Sequence, residues 1–431
     1  MVEQQSTFEQ PSTRYGDRHR WKILGIGVAA NASFAAVFQG LPTTAVLMRM
    51  NYKLSNGQLG LALGLLGMGI AVSEIPWGLL TDRWGDRRVL LTGLSATALA
   101  LCMFALFGSP TPNYIPGPWQ LALGLFFVGL LGGRVNGSSG RAVMSWFKEN
   151  EQGFAMSIRQ IAYPLGGGIG ALLLPIVASR FGFNATFAVL AIGCITTAVF
   201  TWVWLHESPE KPRQDARVKK SAASDTGALR KSAEVTRSPL RDLKIWRMIA
   251  AIGLLSVPQF AVITFASIFL HDVCKAGIAV TAGIMIVIQS GAIVARVWSG
   301  RWTDKYGNRR HYLNRCSLLV AMSFAILALS LFFMGRLNID SSIKLVIIYA
   351  LLVVSGICAS AWTGIANAEL AVQVGIRRVG TALGMCNTAV YTALFFAPYF
   401  TPIVAKLWSW PAAWLMASMF AFSANVLFRR S

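Results

Sequence analysis

The amino-acid sequence predicts an all-α membrane protein with twelve transmembrane helices arranged as two six-helix, pseudo-symmetric halves. Three observations carry this. The 431 residues are 55% hydrophobic and only 13% charged, whereas about a quarter of the residues in a soluble globular chain are charged. Most of the apolar runs match the ~20 residues that cross hydrocarbon and are too long for the core helices of a soluble fold. A charged segment, residues 78–88, recurs after 222 residues at the same place in each half.

In chain order, helices are expected near 22–48, 57–80, 89–108, 119–143, 153–178 and 184–205, then near 246–270, 279–300, 313–335, 344–367, 379–404 and 411–428. The first is a span and not a secretion signal, since the run from Ile23 to Met48 exceeds the roughly 7–15 residues of a signal core. The organisation is an N-terminal tail at 1–21, a first half at 22–205, a linker at 206–245, a second half at 246–428 and a short end at 429–431. The linker contains KPRQDARVKKSAASDTGALRKSAE. It has too little apolar surface to fold alone, and its charge can touch anionic headgroups.

The net charge of +21 would suit a nucleic-acid partner, but the charges collect in alternate connections and no nucleic-acid module is present. With both termini on one side, 28 Lys/Arg fall in segments on that side and 7 on the other. That bias predicts cytoplasmic termini in a plasma membrane, with a bacterial inner membrane as the setting. The six cysteines lie singly, without metal-ligand or disulfide spacing. The four histidines sit in tails or loops. No nucleotide-binding loop or nucleophile triad appears. The sequence therefore predicts no enzyme, cofactor or metal.

The repeat is the most specific signal. Residues 78–88 read GLLTDRWGDRR and residues 300–310 read GRWTDKYGNRR. Gly78, Thr81, Asp82, Gly85, Arg87 and Arg88 recur as Gly300, Thr303, Asp304, Gly307, Arg309 and Arg310, and Arg83 becomes Lys305. Both copies are placed in a loop between the second and third helix of a half. Glycine permits a tight turn there, the aspartate can dock on a helix N-terminus, and the arginines can pair with carboxylates or carbonyls. Such a cluster can latch one conformation and release another, where a plain positive-inside anchor would need only the arginines.

These residues resemble the loop signature of the major facilitator superfamily, Gly-x-Leu-x-Asp-Arg-x-Gly-x-Arg-Arg, with its degenerate copy in the second half. The resemblance covers the whole chain. It implies alternating access, with the first and fourth helices of each half lining the path and the halves rocking about a central site. Gate residues are then expected at Gly78, Asp82, Arg83, Gly85, Arg87, Arg88, Asp304, Gly307, Arg309, Arg310 and, at the end of the tenth helix, Glu369.

Charges inside spans are costly and mark functional candidates. Arg134 in the fourth helix resembles the superfamily's arginine there, while Arg141 suits an end anchor. Arg159 opens the fifth helix, before Pro164, Gly167 and Gly168, which match the end of the antiporter signature. Arg159 is a candidate anion contact or gate residue, and the glycines equally suit helix packing. Arg296, in SGAIVARVWSG, resembles the carboxylate-binding arginine of the monocarboxylate porters. Its planar fork suits a carboxylate, and the alternative is an arginine that joins the halves. Shifted by 222, Arg296 falls on Glu74, which either carries the coupling proton or closes a gate ion pair. Asn31, Gln259, Trp362, Asn387 and Tyr391 are candidate solute contacts, and each could equally join helices.

The expected function is transport of a small organic anion, a carboxylate, by proton symport. Proton-coupled efflux of drugs or amphipathic metabolites is the alternative, and a non-transporting receptor or scaffold the more distant one. Expected partners are the anionic solute, protons and membrane lipids, with no nucleic acid, and the chain is expected to be a monomer.

Overall fold

The computed structural model describes residues 19–133, 135, 139, 146, 147, 155, 158–205, 242–334, 340–374 and 379–430. Among them are twelve helices. In the first half these are α1 (His19–Asn51), α2 (Asn56–Trp84), α3 (Asp86–Phe107), α4 (described over Pro118–Gly132), α5 (162–181) and α6 (183–204). In the second they are α7 (Leu243–Asp272), α8 (Ile278–Tyr306), α9 (Arg309–Met334), α10 (Ser341–Val374), α11 (Val379–Trp408) and α12 (Trp410–Arg430). α5 and α6 run on without a loop and divide at Gly182, whose φ of 79° lies in the left-handed region. α1 contains a π-helical turn at Ala36–Gly40 and a 3-10 turn at Leu41–Thr44. Apart from one isolated bridge, Thr111 to Tyr114, the described residues contain no strand pairing.

Helix starts follow their capping residues. Ser55 and Gln58 form a reciprocal capping box at α2, satisfying two backbone donors that the first turn leaves over. Asp242 caps α7 through the Lys244 N–H (2.8 Å), and Asp340 caps α10 through the Ser342 N–H (2.7 Å).

The repeated segment is not a loop, as the sequence suggested. In each copy the helix continues through the charged residues and breaks at the glycine, in the second copy together with Asn308. Gly85 (φ 83°) and Gly307 (φ 65°) both take left-handed backbone, and their N–H groups bond to Thr81 O and Thr303 O at 3.0 and 2.9 Å. A side chain at φ > 0 is strained, so the glycine is the residue that sets the corner. The arginines that follow open the next helix. Charged side chains are tolerated on these last turns because long stems let the heads reach the membrane surface.

The two halves run in parallel. Lys22 at the start of α1 lies over the Trp204 ring at the end of α6 (6.0 Å to the centroid), and Arg247 at the start of α7 lies against the Arg430 carbonyl at the end of α12. The far ends of α1 and α7 meet through Arg49 and Asp272. One hydrophobic cluster fills the first half and takes in Val257, Phe260, Tyr391 and Leu394 from the second, and another fills the second half around Trp362 and Trp414. Large apolar side chains such as Leu106, Phe181, Val294 and Met419 cover the outside, as a hydrocarbon solvent requires.

Lipid gives helices little hydrophobic reason to associate, so close backbone approach at small residues carries the packing. On the face opposite the termini, Gly60, Gly64 and Gly67 of α2 lie against Pro398, Phe395 and Leu394 of α11. A Cβ on Gly60 would run into the Pro398 carbonyl oxygen, whereas one on Gly25 would meet nothing within 4 Å. Gly60→Ala is expected to destabilise the protein by about 1–3 kcal/mol, the usual cost of overpacking, and Gly25→Ala to leave it unchanged or slightly raised. Thermal unfolding in detergent compares the two, and equal Tm values would mean this seam is slack.

Candidate functional site

The site begins with Arg159, at the start of the α5 segment. Its side chain is 4% exposed, which an arginine tolerates only when its donors are engaged. Nη1 donates to Ser139 Oγ (3.1 Å), and the same hydroxyl accepts from Asn31 Nδ2 of α1 (2.9 Å). Asn31 also donates to the Gly27 carbonyl of its own helix (3.1 Å). The serine therefore joins α1 to the start of α5. The Asn31 amide nitrogen, expected at the solute, is held in this junction.

One turn further along α5 stands Tyr163, half-buried and hydrogen-bonded to Tyr391 of α11 in the other half. Phe38 of α1 packs edge-on against both rings, at 6.0 and 6.3 Å between centroids. Arg159, Glu74 and Arg296 all lie within electrostatic reach of Tyr163. Three of the charges expected inside the spans thus converge on one phenol between the halves. Glu74 is only 3% exposed. Among the described residues, two guanidinium groups against one carboxylate leave the centre net positive.

Arg296 itself bridges the halves. Its Nε donates to the Ser360 carbonyl of α10 (3.0 Å), within its own half, and Nη1 donates to the Gln160 carbonyl at the start of α5 (3.2 Å). It is half-buried.

Beyond this centre, towards the face opposite the termini, Gln289 of α8 donates to Gln39 of α1 (3.4 Å). A Cβ on Gly167 would press on both amides, so the glycine makes room for the pair. Ser267 Oγ of α7 donates to the Pro42 carbonyl (3.2 Å). At the rim Arg49 and Asp272 form a two-point ion pair, Nη1 to Oδ2 and Nη2 to Oδ1, both 2.6 Å. That face is closed. Nothing in the local sequence marks these two residues, which are 223 positions apart. Arg49 read as one more charge on the less basic side.

The other expected contacts are spread out. Gln259 is buried on α7 beside Pro258. Asn387 is half-buried one turn before Tyr391. Trp362 is buried, and its indole N–H donates to the Ala359 carbonyl (2.7 Å), within its own helix. Among the gate residues, Arg310 Nε donates to Glu369 Oε1 (2.9 Å), joining α9 to α10, and Gln373 donates to the same oxygen (3.0 Å). Arg87 Nη2 donates to the Trp202 carbonyl at the end of α6 (2.7 Å). Gly78 lies on α2, and Arg88 and Arg309 fall in the first turns of α3 and α9. Arg134 and the side chains of Asp82, Arg83 and Asp304 lie outside the described residues. Among those described, no group of three His, Cys, Asp or Glu side chains could hold a metal ion.

Two parallel helix bundles that meet around a charged buried centre, closed on one face by contacts between the halves, have the build of a membrane transporter. The chain belongs to the major facilitator superfamily, whose family model matches residues 27–339. It is 29% identical over 412 residues, covering 94% of this chain and 84% of the relative, to an uncharacterised MFS-type transporter of Mycobacterium tuberculosis (strain CDC 1551 / Oshkosh). Shorter matches reach "Probable anion transporter 3, chloroplastic" of Oryza sativa subsp. japonica (28% identity, 35% of this chain and 27% of that protein). A match of similar length reaches "Multidrug resistance protein MdtG" of Serratia proteamaculans (strain 568) (27% identity, 36% of each). Among solved structures, the xylose transporter XylE from E. coli in a partially occluded inward-open conformation superposes with a TM-score of 0.74 at 15% identity, covering 96% of this chain and 98% of that one. That likeness is one of fold. The protein is accordingly a multi-pass membrane transporter of a family that moves small molecules, and not an enzyme.

Proposed function

We propose that the protein carries a small organic anion, a carboxylate, across a bacterial plasma membrane by alternating access with proton symport, its termini in the cytoplasm. The observation that carries this reading is the convergence of Arg159 and Arg296, from opposite halves, on Tyr163, with Glu74 as the acid among them. A net positive centre in a low-dielectric bundle favours an entering anion and opposes a cation. The match to a protein named as an anion transporter points the same way.

Arg296 gives the reading a mechanism. Its Nε stays on the Ser360 carbonyl of its own half, while Nη1 is held by the Gln160 carbonyl across the seam. Parting the halves on the termini face frees Nη1, which then pairs with Nη2 as a planar fork for a carboxylate. The solute thus replaces a contact between the halves, which couples binding to the change of state.

Glu74 is the proton carrier in this scheme. Charging a buried carboxylate is costly, so protonation accompanies any step that removes its positive neighbours. Glu74→Gln is expected to abolish accumulation driven by an imposed pH gradient in proteoliposomes while preserving solute-for-solute exchange. Undiminished gradient-driven accumulation would place coupling elsewhere. The reading as a whole is tested by a thermal-shift screen of the purified protein against small carboxylates and amphipathic cations, followed by uptake of whatever stabilises it. Stabilisation by cationic drugs alone would replace anion symport by drug efflux. Of the glycines after Pro164 that the efflux reading relies on, Gly167 makes room for the Gln39–Gln289 pair and Gly168 lies against the Gln289 side chain.

A further inference from the structure

An apolar groove runs down the outside of the first half, remote from the central path. It lies between α3 and α6 and has a volume of about 550 Å³. Leu91, Ser95, Ala98 and Cys102 line it from α3, and Ile195 and Trp202 from α6. The spacings keep each set on one helix face. From Leu91 to Cys102 the groove descends roughly 16 Å at 1.5 Å per residue, about half of a ~30 Å hydrocarbon core. The slot is therefore one leaflet deep, open to lipid along its side, and narrowed by no large side chain at Ser95 or Ala98.

Its mouth is basic. Arg87 and Arg88 precede Leu91 by four and three residues, so they sit one turn nearer the membrane surface on the same side of α3. Helix side chains lean towards the N-terminus, which for α3 is the surface end. Arg87 is fixed at the rim by its bond to the Trp202 carbonyl (2.7 Å), and Arg88 is exposed. The acid of this turn, Asp86, is buried and turned into the bundle. Two cations thus crown an apolar slot whose depth is that of an acyl chain.

We propose that this groove is a binding site for an anionic glycerophospholipid, one acyl chain lying between α3 and α6 and the phosphate held by Arg87 and Arg88. Charge complementarity selects the headgroup, since each basic residue near an anionic headgroup contributes about fivefold in affinity. The slot selects the chain. The site stands independently of the solute that the protein carries.

The test uses the full chain in phosphatidylcholine nanodiscs doped with phosphatidylglycerol or phosphatidylcholine bearing a photoactivatable acyl chain, with adducts mapped by mass spectrometry. The phosphatidylglycerol probe is expected to label 91–102 and 195–202 at least about fivefold more than the phosphatidylcholine probe. Arg87→Gln with Arg88→Gln is expected to bring the two probes level. Ala98→Phe, which fills the slot and leaves the crown intact, is expected to reduce labelling of these segments by both. Should the double variant fail to fold, Arg88→Gln, at an exposed side chain, supplies the headgroup test with about a fivefold loss. Equal labelling by the two probes in the unsubstituted protein overturns the proposal. So does labelling no stronger than on the lipid-facing surface of α9 around Leu319, Ile326 and Leu329.

Discussion

Arg296→Ala is expected to weaken equilibrium binding of the transported anion at least about a hundredfold, because removing one partner of a desolvated ion pair costs roughly 3–5 kcal/mol. Arg296→Lys keeps the charge but cannot hold the Ser360 carbonyl and present a planar pair of donors at once, so a substantial part of the defect should remain. The two roles of this residue separate cleanly by experiment. If Arg296 only ties α8 to the Gln160 carbonyl, either substitution will leave affinity near normal in detergent and slow the cycle in liposomes. Lost flux with unchanged affinity would therefore remove Arg296 from the binding site and leave it as part of the seam. Lost affinity for the anion, with thermal stability of the empty protein preserved, is the result the fork mechanism requires.

What the sequence made legible is what lies close along the chain or repeats. Long apolar runs marked the helices because hydrocarbon demands a fixed length of each. The 222-residue repeat marked Gly85 and Gly307, which both take positive φ with the same bond to a threonine carbonyl four residues back. It did not show that the charged residues around them are helical, because polar residues next to glycine read as a turn. The charged centre was legible residue by residue, since any ionised group in a span is conspicuous. That Arg159, Glu74 and Arg296 gather at Tyr163 was not. Nor was Ser139, which lies in the small-residue run GLLGGRVNGSSG and is set apart only by accepting bonds from Asn31 and Arg159. Pairings between the halves leave no periodic trace, and the pseudo-symmetry hides them further: shifted by 222, Arg49 falls on His271 and Asp272 on Met50. The acid that completes the latch exists in one half alone.

Asp272→Asn is expected to open the face opposite the termini. In the closed arrangement Arg49 holds Asp272 with both terminal nitrogens and also donates to Asn56 Oδ1 (2.8 Å), while His271 Nδ1 lies 2.9 Å from Asp272 Oδ1. The two side chains are 19% and 26% exposed, so the pair falls between an exposed bridge, worth about 0–1 kcal/mol, and a buried one, whose rupture costs about 3–5. A loss near 1.4 kcal/mol shifts the closed-to-open ratio about tenfold. Spin labels at Lys53 and Lys275, which are exposed beside the paired ends, report the change as a new long-distance population. Arg49→Asp alone should open this face further, since it sets two acids against each other. Combined with Asp272→Arg it should restore the short distance, a recovery that repacking alone would not produce. If Asp272→Asn leaves the distance distribution as it was, the glycine seam of α2 and α11 holds the face by itself. The ion pair would then be a consequence of closure, because a contact that biases the equilibrium must be stronger in one state than in the other.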